Sequence, residues 1–201
     1  MARLDEFTQD QRDLLEALPY RVGLWVSSSD TTGGGAADEA EAQALELIVT
    51  GFAEDFCKSE FVQVMMEEAV ARRAEWHDWA ANLEEVPAEC ARAVELLSER
   101  LDRKEVTSFK LTLMEIATAV AMAYREFDHN DKMAHRLKIY SRVMMERLRA
   151  IFTGQRARNI DEFLNISESE QKALDLLSRS LDLGNARVKP NAAAANVSGA
   201  A

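Results

Sequence analysis

Apolar residues recur along the chain at spacings of three and four, while β-branched alternation is nearly absent, and this pattern predicts an all-α protein. Read through the chain, it gives a compact bundle of about seven helices. A first helix covers Asp10 to about Leu18, and Pro19 opens or bends the next segment. That segment carries Val22, Leu24, Trp25 and Val26 and loses helical character at Ser27-Ser28-Ser29. Asp38 stands three residues before Glu41, a capping-box spacing that starts a helix through about Cys57, with Ala44, Leu45, Ile48, Phe52 and Phe56 on its inner face. Ser59 caps a long piece from Glu60 to Asn82 that holds Val64, Met65, Trp76 and Trp79. Pro87 suits the first turn of a helix reaching about Leu101, and Thr107 or Ser108 caps another from Phe109 to about Phe127. After the polar run Asp128-His129-Asn130-Asp131, helical periodicity resumes from Lys132 to about Phe152. A last amphipathic segment, Ser167 to Leu183, stops at Gly184. Residues 1–184 form a single domain on this reading, and 185–201 a disordered, low-complexity tail.

Composition supports a folded domain and narrows its partners. With 47% hydrophobic residues and three prolines in 201, the chain can bury a core. Its net charge of −11 is unevenly spread: residues 1–100 carry 8 Lys/Arg against 22 Asp/Glu, and residues 101–201 carry 16 against 13. The overall sign argues against general nucleic-acid binding, which needs clustered positive charge, and an acidic half beside a mildly basic one could attract each other, a protein partner or divalent cations. Cys57 and Cys90 lie far apart and read as reduced, buried thiols. The N-terminal residues lack the apolar run of a signal peptide, and no stretch of about 18 apolar residues offers a membrane span. A cytoplasmic location is expected.

The stretch Val22–Glu41 has the greatest chemical potential. Counting Asp30 as the first position, Gly35 is sixth, Asp38 ninth and Glu41 twelfth, the spacing of an EF-hand calcium loop. Asp30, Asp38 and Glu41 are therefore candidate ligands for Ca2+ or another divalent cation. Thr32 and Gly34 stand at the third and fifth positions, where two side-chain ligands are usual. The same acids also read as helix-capping residues. Residues 22–30 align with Ile116–Tyr124, each leading through a polar loop into a long helix, which suggests two pseudo-repeated helix-loop-helix halves.

A helix ending at a small-residue–Asp step, a glycine-bearing loop and an acidic helix start together resemble the TerB-like, tellurite-resistance-associated fold family. The resemblance covers about Leu14 to Phe152. It implies a compact all-helical domain of two related halves with an acidic, metal-binding surface, in a family linked to stress response and membrane-associated assemblies. It carries Asp30 and Glu41 as site residues. The triple-glycine loop is longer than the family's own, and Tyr124 stands where the second half would have an acid.

Three function classes follow. The leading one is a non-catalytic interaction or regulatory module, in which a cation at residues 30–41 joins two helices. A metal-dependent helical-bundle enzyme is the second, since Glu126 and His129 form one E-x-x-H pair and Glu67, Glu68, Glu75 and His77 could face inward; such bundles need a second pair. The third is a structural subunit docking through residues 132–158, which hold eight Lys/Arg and one acid. That stretch also fits a homodimer contact, an anionic membrane surface, or neutralisation of the acidic half. Trp76 and Trp79 flank His77 and read as core with the histidine at the rim.

Overall fold

The computed structural model describes residues 4–29, 35–55, 59–126 and 167–183, with the backbone alone described at 35–41, 55 and 122–126. Seven α-helices and three short 3-10 turns make up the described secondary structure, an all-α bundle as the periodicity predicts. The helices are α1 (Gln9–Ser27), α2 (Gly35–Asp55), α3 (Glu60–Ala71), α4 (Trp76–Trp79), α5 (Val86–Ser98), α6 (Arg103–Glu126) and α7 (Glu168–Ser180). Among the described residues, no helix is long and apolar enough to cross a membrane.

Helix α1 is central and packs against each of the other six. It runs unbroken through Pro19, so the two segments expected here are one helix. Leu15, Leu18, Val22 and Val26 are fully buried and keep a single 3–4 spaced face on both sides of the proline. An internal proline costs about 3 kcal/mol, whereas each buried side chain of this size contributes about 1.5 to 3 kcal/mol. A break at Pro19 would remove half the stripe from the core, so continuity wins.

Local signals set most other boundaries. The hydroxyls of Ser59 and Ser167 accept hydrogen bonds from the Val62 and Glu170 amides, and Glu170 completes a capping box on α7. Proline in the first turn of α5 sits where its missing N–H leaves no bond unmade. Helix α6 begins earlier than expected because Asp102, rather than Thr107 or Ser108, accepts from the amides of Lys104 and Glu105 at 2.8 and 3.0 Å. Helix α7 ends before Gly184. Asp182 takes the left-handed position at φ 51°, and the Leu183 amide donates back to the Ser178 carbonyl.

The piece expected as one helix from Glu60 to Asn82 is broken after Ala71 and again after Trp79. Two features hold the breaks. The indole N–H of Trp76 donates to the Ala69 carbonyl at 2.9 Å while its ring stacks on Tyr20, centroids 4.5 Å apart. Buried Arg21 of α1 donates to the carbonyls of Trp79, Ala81 and Asn82 and pairs with Glu89 at 2.8 Å. Asn82 is left-handed at φ 52°, a conformation asparagine tolerates, and this turn aims the carbonyls at the guanidinium. The tryptophans are thus structural, and His77 between them is exposed, as the sequence suggests.

Residues 22–29 and 116–124, aligned in sequence, are the closing turns of α1 and α6, and the two helices touch at Gly23. The loop and helix of the second proposed half lie outside the described residues, as do the Lys132–Phe152 helix and the 185–201 tail. A Cβ on Gly23 would stand 2.3 Å from Leu45 Cδ1 and 3.3 Å from Val120 Cγ2, and Leu45 is fully buried. Gly51 on α2 has nothing within 4 Å of the same position. We expect Gly51→Ala to stabilise by roughly 0.5 to 1 kcal/mol through helix propensity. Gly23→Ala is expected to lose about 1 to 3 kcal/mol through overpacking, despite the same propensity gain. Urea unfolding of the two variants checks the opposite signs.

Candidate interaction cleft

A concavity with a volume of about 900 Å³ lies between the Leu4–Glu6 turn, α1, α3 and the corner joining α5 to α6. Its apolar surface comes from Leu4, Phe61, Val64 and Leu101. Phe61 and Leu4 are buried, while Val64 remains 39% exposed on the wall. Around these stand six carboxylates (Asp5, Glu16, Glu60, Glu68, Asp102, Glu105) and two guanidinium groups (Arg12, Arg100).

The charged groups fall into those committed to the fold and those left over. Arg100 lies 5.0 Å over the Phe7 ring and donates to the Glu6 carbonyl, fixing the N-terminal turn to the α5–α6 corner. Asp102 caps α6. Glu16 accepts from Arg72 at 2.6 Å. Among the described residues, Glu60, Glu68 and Glu105 have no cationic side chain paired with them, and Glu105 Oε2 is buried without a hydrogen-bond partner. Arg12 Nε is likewise buried and unpartnered, although the same guanidinium donates to Gln9 at 2.7 Å. A buried acceptor left unmade costs about 1 to 3 kcal/mol.

Behind the cleft, Arg72 binds the carboxylates of Asp13, Glu16 and Glu75 and lies 5.3 Å over the Trp79 ring. The hydrogen bond to Glu75, set against desolvation and reinforced by those to Glu16 and Asp13, pushes the guanidinium pKa up. Burial tends to raise Asp13, but hydrogen bonds from Arg72 and Gln9 outweigh it and hold the group below its ordinary value. The Arg72 hydrogen bond likewise lowers Glu75. This knot ties α1 to the end of α3 and the turn before α4, and through Glu16 it sets one wall of the cleft.

The residues singled out in the sequence are placed as follows. Asp30 lies outside the described residues. Asp38 and Glu41 lie within α2, which starts at Gly35, three residues ahead of the expected cap, and their side chains are not among those described. Glu126 ends α6 with its side chain likewise undescribed, and His129 and the basic residues of 132–158 fall outside the described residues. Glu67 accepts from Gln63 at 2.7 Å, Glu75 serves Arg72, His77 is exposed, and Glu68 alone of that group reaches the cleft. Among the described residues no group of three His, Cys, Asp or Glu side chains gathers as metal ligands. Cys90 is buried and free, and burial followed by the charge of Glu89 pushes its thiol pKa up, away from reactive thiolate. Cys57 lies outside the described residues.

Sequence reasoning missed Glu60, Glu105 and Arg12, and named Val64 as part of the Glu60–Asn82 helix without giving it a role. The signal was the spacing Glu60–Val64–Glu68, which lays acid, apolar and acid along one stripe of α3.

The Arg72 knot gives a pH dependence. Because Asp13 and Glu75 sit below their ordinary values of 3.8 and 4.5, their contribution is complete above those values and is lost as pH falls through the lowered ones. Arg72→Met is expected to flatten the fall in Tm below about pH 4.5. At neutral pH it should cost about 1 to 3 kcal/mol by leaving buried Glu16 without its donor. Thermal unfolding across pH 3 to 7, on the order of one point per half unit, checks both.

No family model, curated protein or solved structure matches the chain.

Proposed function

We propose that the protein is a non-catalytic, cytoplasmic interaction and regulatory module of the TerB-like kind its sequence resembles, and that its cleft receives a positively charged, amphipathic segment of a protein partner. The observation that carries this reading is the combination on one wall of α3: exposed Val64 between Glu60 and Glu68, facing Glu105 with its unpartnered buried oxygen. An apolar side chain flanked by Lys or Arg matches that stripe in both hydrophobicity and charge. Helix-in-groove recognition uses such anchors at helical spacing. Six carboxylates against two guanidinium groups line the cleft, so the surface it offers a partner is net acidic. Complementary charge of this kind raises association rate and specificity more than affinity.

A synthetic helix carrying leucine and lysine at heptad spacing tests the reading. We expect it to bind the full chain in a salt-dependent manner and to bind Glu60→Lys/Glu68→Lys at least about tenfold more weakly, since each reversed pair at a wet rim changes binding by roughly 1 kcal/mol. Equal binding to both chains in fluorescence anisotropy would place recognition elsewhere.

The proposal gives residues 30–41 a supporting role. A divalent cation held by Asp30 and Glu41, with Asp38 direct or through water, would join the end of α1 to the start of α2 and stabilise the native state by linkage. Millimolar calcium is expected to raise the Tm of metal-stripped protein, and Asp30→Ala to abolish the rise. An unchanged Tm in both would reduce the three acids to turn and helix-start residues.

A further inference from the structure

We infer that the basic segment this cleft receives is helix α7 of a second copy of the chain, so that the protein associates with itself through the outer stripe Lys172–Leu176–Arg179 of one copy and the Glu60–Val64–Glu68 wall of another. The inference rests on the cleft reading above and names the partner. Both stripes lie wholly within described helices.

Exposure selects the two stripes. Among the described residues three large hydrophobic side chains stand exposed: Leu47 at 40%, Val64 at 39% and Leu176 at 43%. Val64 has Glu60 and Glu68 four residues to either side. Leu176 has Lys172 four residues before it and Arg179 three residues after it, so the three share one face of α7. Leu47 has no charged residue at these spacings, where Gln43, Ala44, Thr50 and Gly51 stand. Ala173, Leu174 and Leu177 hold the inner face of α7 buried in the bundle, while Lys172, Leu176 and Arg179 lie on the opposite, exposed side. Arg179 has no carboxylate paired with it among the described residues. Lys172 pairs with Glu168 at 2.6 Å, and both side chains are mostly exposed. An exposed pair of this kind is given up at little cost.

The stripes also match in length and order. Lys172 to Arg179 rises about 10 Å and Glu60 to Glu68 about 12 Å at 1.5 Å per residue, a difference that flexible charged side chains span. Each reads charge, apolar, charge from either end. Leu176 can therefore rest on Val64 with the two helices side by side and the two cations against the two glutamates. Asp175 directly precedes Leu176 and projects about 100° away from it around the helix, where Gln171 donates to it at 3.3 Å. Two factors keep the contact weak. Its apolar centre is one pair of side chains, well short of the area of about 1,200 Å² or more that stable interfaces bury. The net charge of −11 on each copy also opposes approach. Association is therefore concentration-dependent. Stripe and cleft are different patches, so every copy offers one of each, and the contact either closes reciprocally about a twofold axis or continues head to tail. A foreign basic helix must compete with α7 of a neighbouring copy, which makes the concentration of the chain itself a control on partner binding.

Sedimentation equilibrium of the full chain over a concentration series tests this, with circular dichroism confirming the fold of each variant. We expect the weight-average mass of the unmodified chain to rise with concentration. Glu60→Lys/Glu68→Lys and Lys172→Glu/Arg179→Glu should each, alone, weaken association at least about tenfold, since each sets like charges across the contact. Mixed in equal amounts, the two variants should associate again, because the cations of one meet the acids of the other. An unmodified chain that stays monomeric up to millimolar concentration overturns the inference. Binding of the leucine–lysine helix to that monomer keeps the cleft reading, and its failure to bind overturns both. Association that either variant alone retains undiminished, or that mixing does not restore, places the contact elsewhere and overturns the inference. Carbodiimide coupling of an equal mixture of isotope-labelled and unlabelled unmodified chains supplies a readout independent of any variant. Lys172 of one copy should form an amide with Glu60 or Glu68 of another, and Lys172 coupled solely within its own chain overturns the inference.

Discussion

The architecture depends on how the central helix resolves its own buried charges. Helix α1 is covered from several sides and still carries Glu16 and Arg21 at 5% and 8% exposure. A buried charge without a partner costs several kcal/mol, so the surroundings must supply partners at fixed places. Arg72 comes to Glu16 from the end of α3, while Glu89 and three turn carbonyls come to Arg21 from the start of α5 and the turn before it. These demands explain why the chain between α3 and α5 is broken into short pieces rather than drawn out as one helix. Arg72 and Arg21 need that connection folded back against α1, and Trp76 fills the resulting bend with its indole N–H satisfied.

The same constraint shapes the cleft. Once Arg72 has pinned the end of α3 to Glu16 and Asp13, the other end of α3 diverges toward the Leu4–Glu6 turn and the α5–α6 corner. Phe61 and Leu4 close its floor, and Phe7 packs on Phe61 with centroids 5.7 Å apart. The acids of α3 that do not serve Arg72 are left on the wall. Much of the acidic surplus in the first half is exposed, as at Glu6, Asp10, Glu54, Asp78, Glu84 and Glu85. Part of it neutralises structural arginines, and part is concentrated where an apolar floor adjoins it.

What was legible in the sequence follows the range of each interaction. Ser59, Ser167 with Glu170, and the first-turn proline of α5 act within one helical turn, and each marks a boundary that the structure keeps. Pro19 misled because its effect is local while the force overruling it, the burial of Leu15, Leu18, Val22 and Val26 together, is tertiary. The exposure of Val64 was not legible for a similar reason. Helical periodicity shows that it shares a stripe with Glu60 and Glu68, but which stripe faces the core is decided by the buried Met65, Met66 and Ala69 beside it. Glu105 and Arg12 carried no signal, since their isolation follows from where Arg100, Asp102 and Glu16 find partners.

Residues 30–41 show the limit of spacing as a guide to chemistry. The interval between Asp38 and Glu41 suits a capping box, and it also suits the end of a cation loop. The helix instead begins at Gly35, so Asp38 and Glu41, its fourth and seventh residues, both fall in its second turn. Acids near a helix start are favoured by the macrodipole whether or not a cation is present. In the cleft, helix physics accounts for Asp102 and favours Glu60 and Glu105 in the first turns of α3 and α6, and the buried arginine knot accounts for Glu16, while Glu68 and the unpartnered oxygen of Glu105 are explained by neither. Groups the fold does not use are where recognition has to be sought, and here they stand beside an exposed valine on a wall already held rigid by the core.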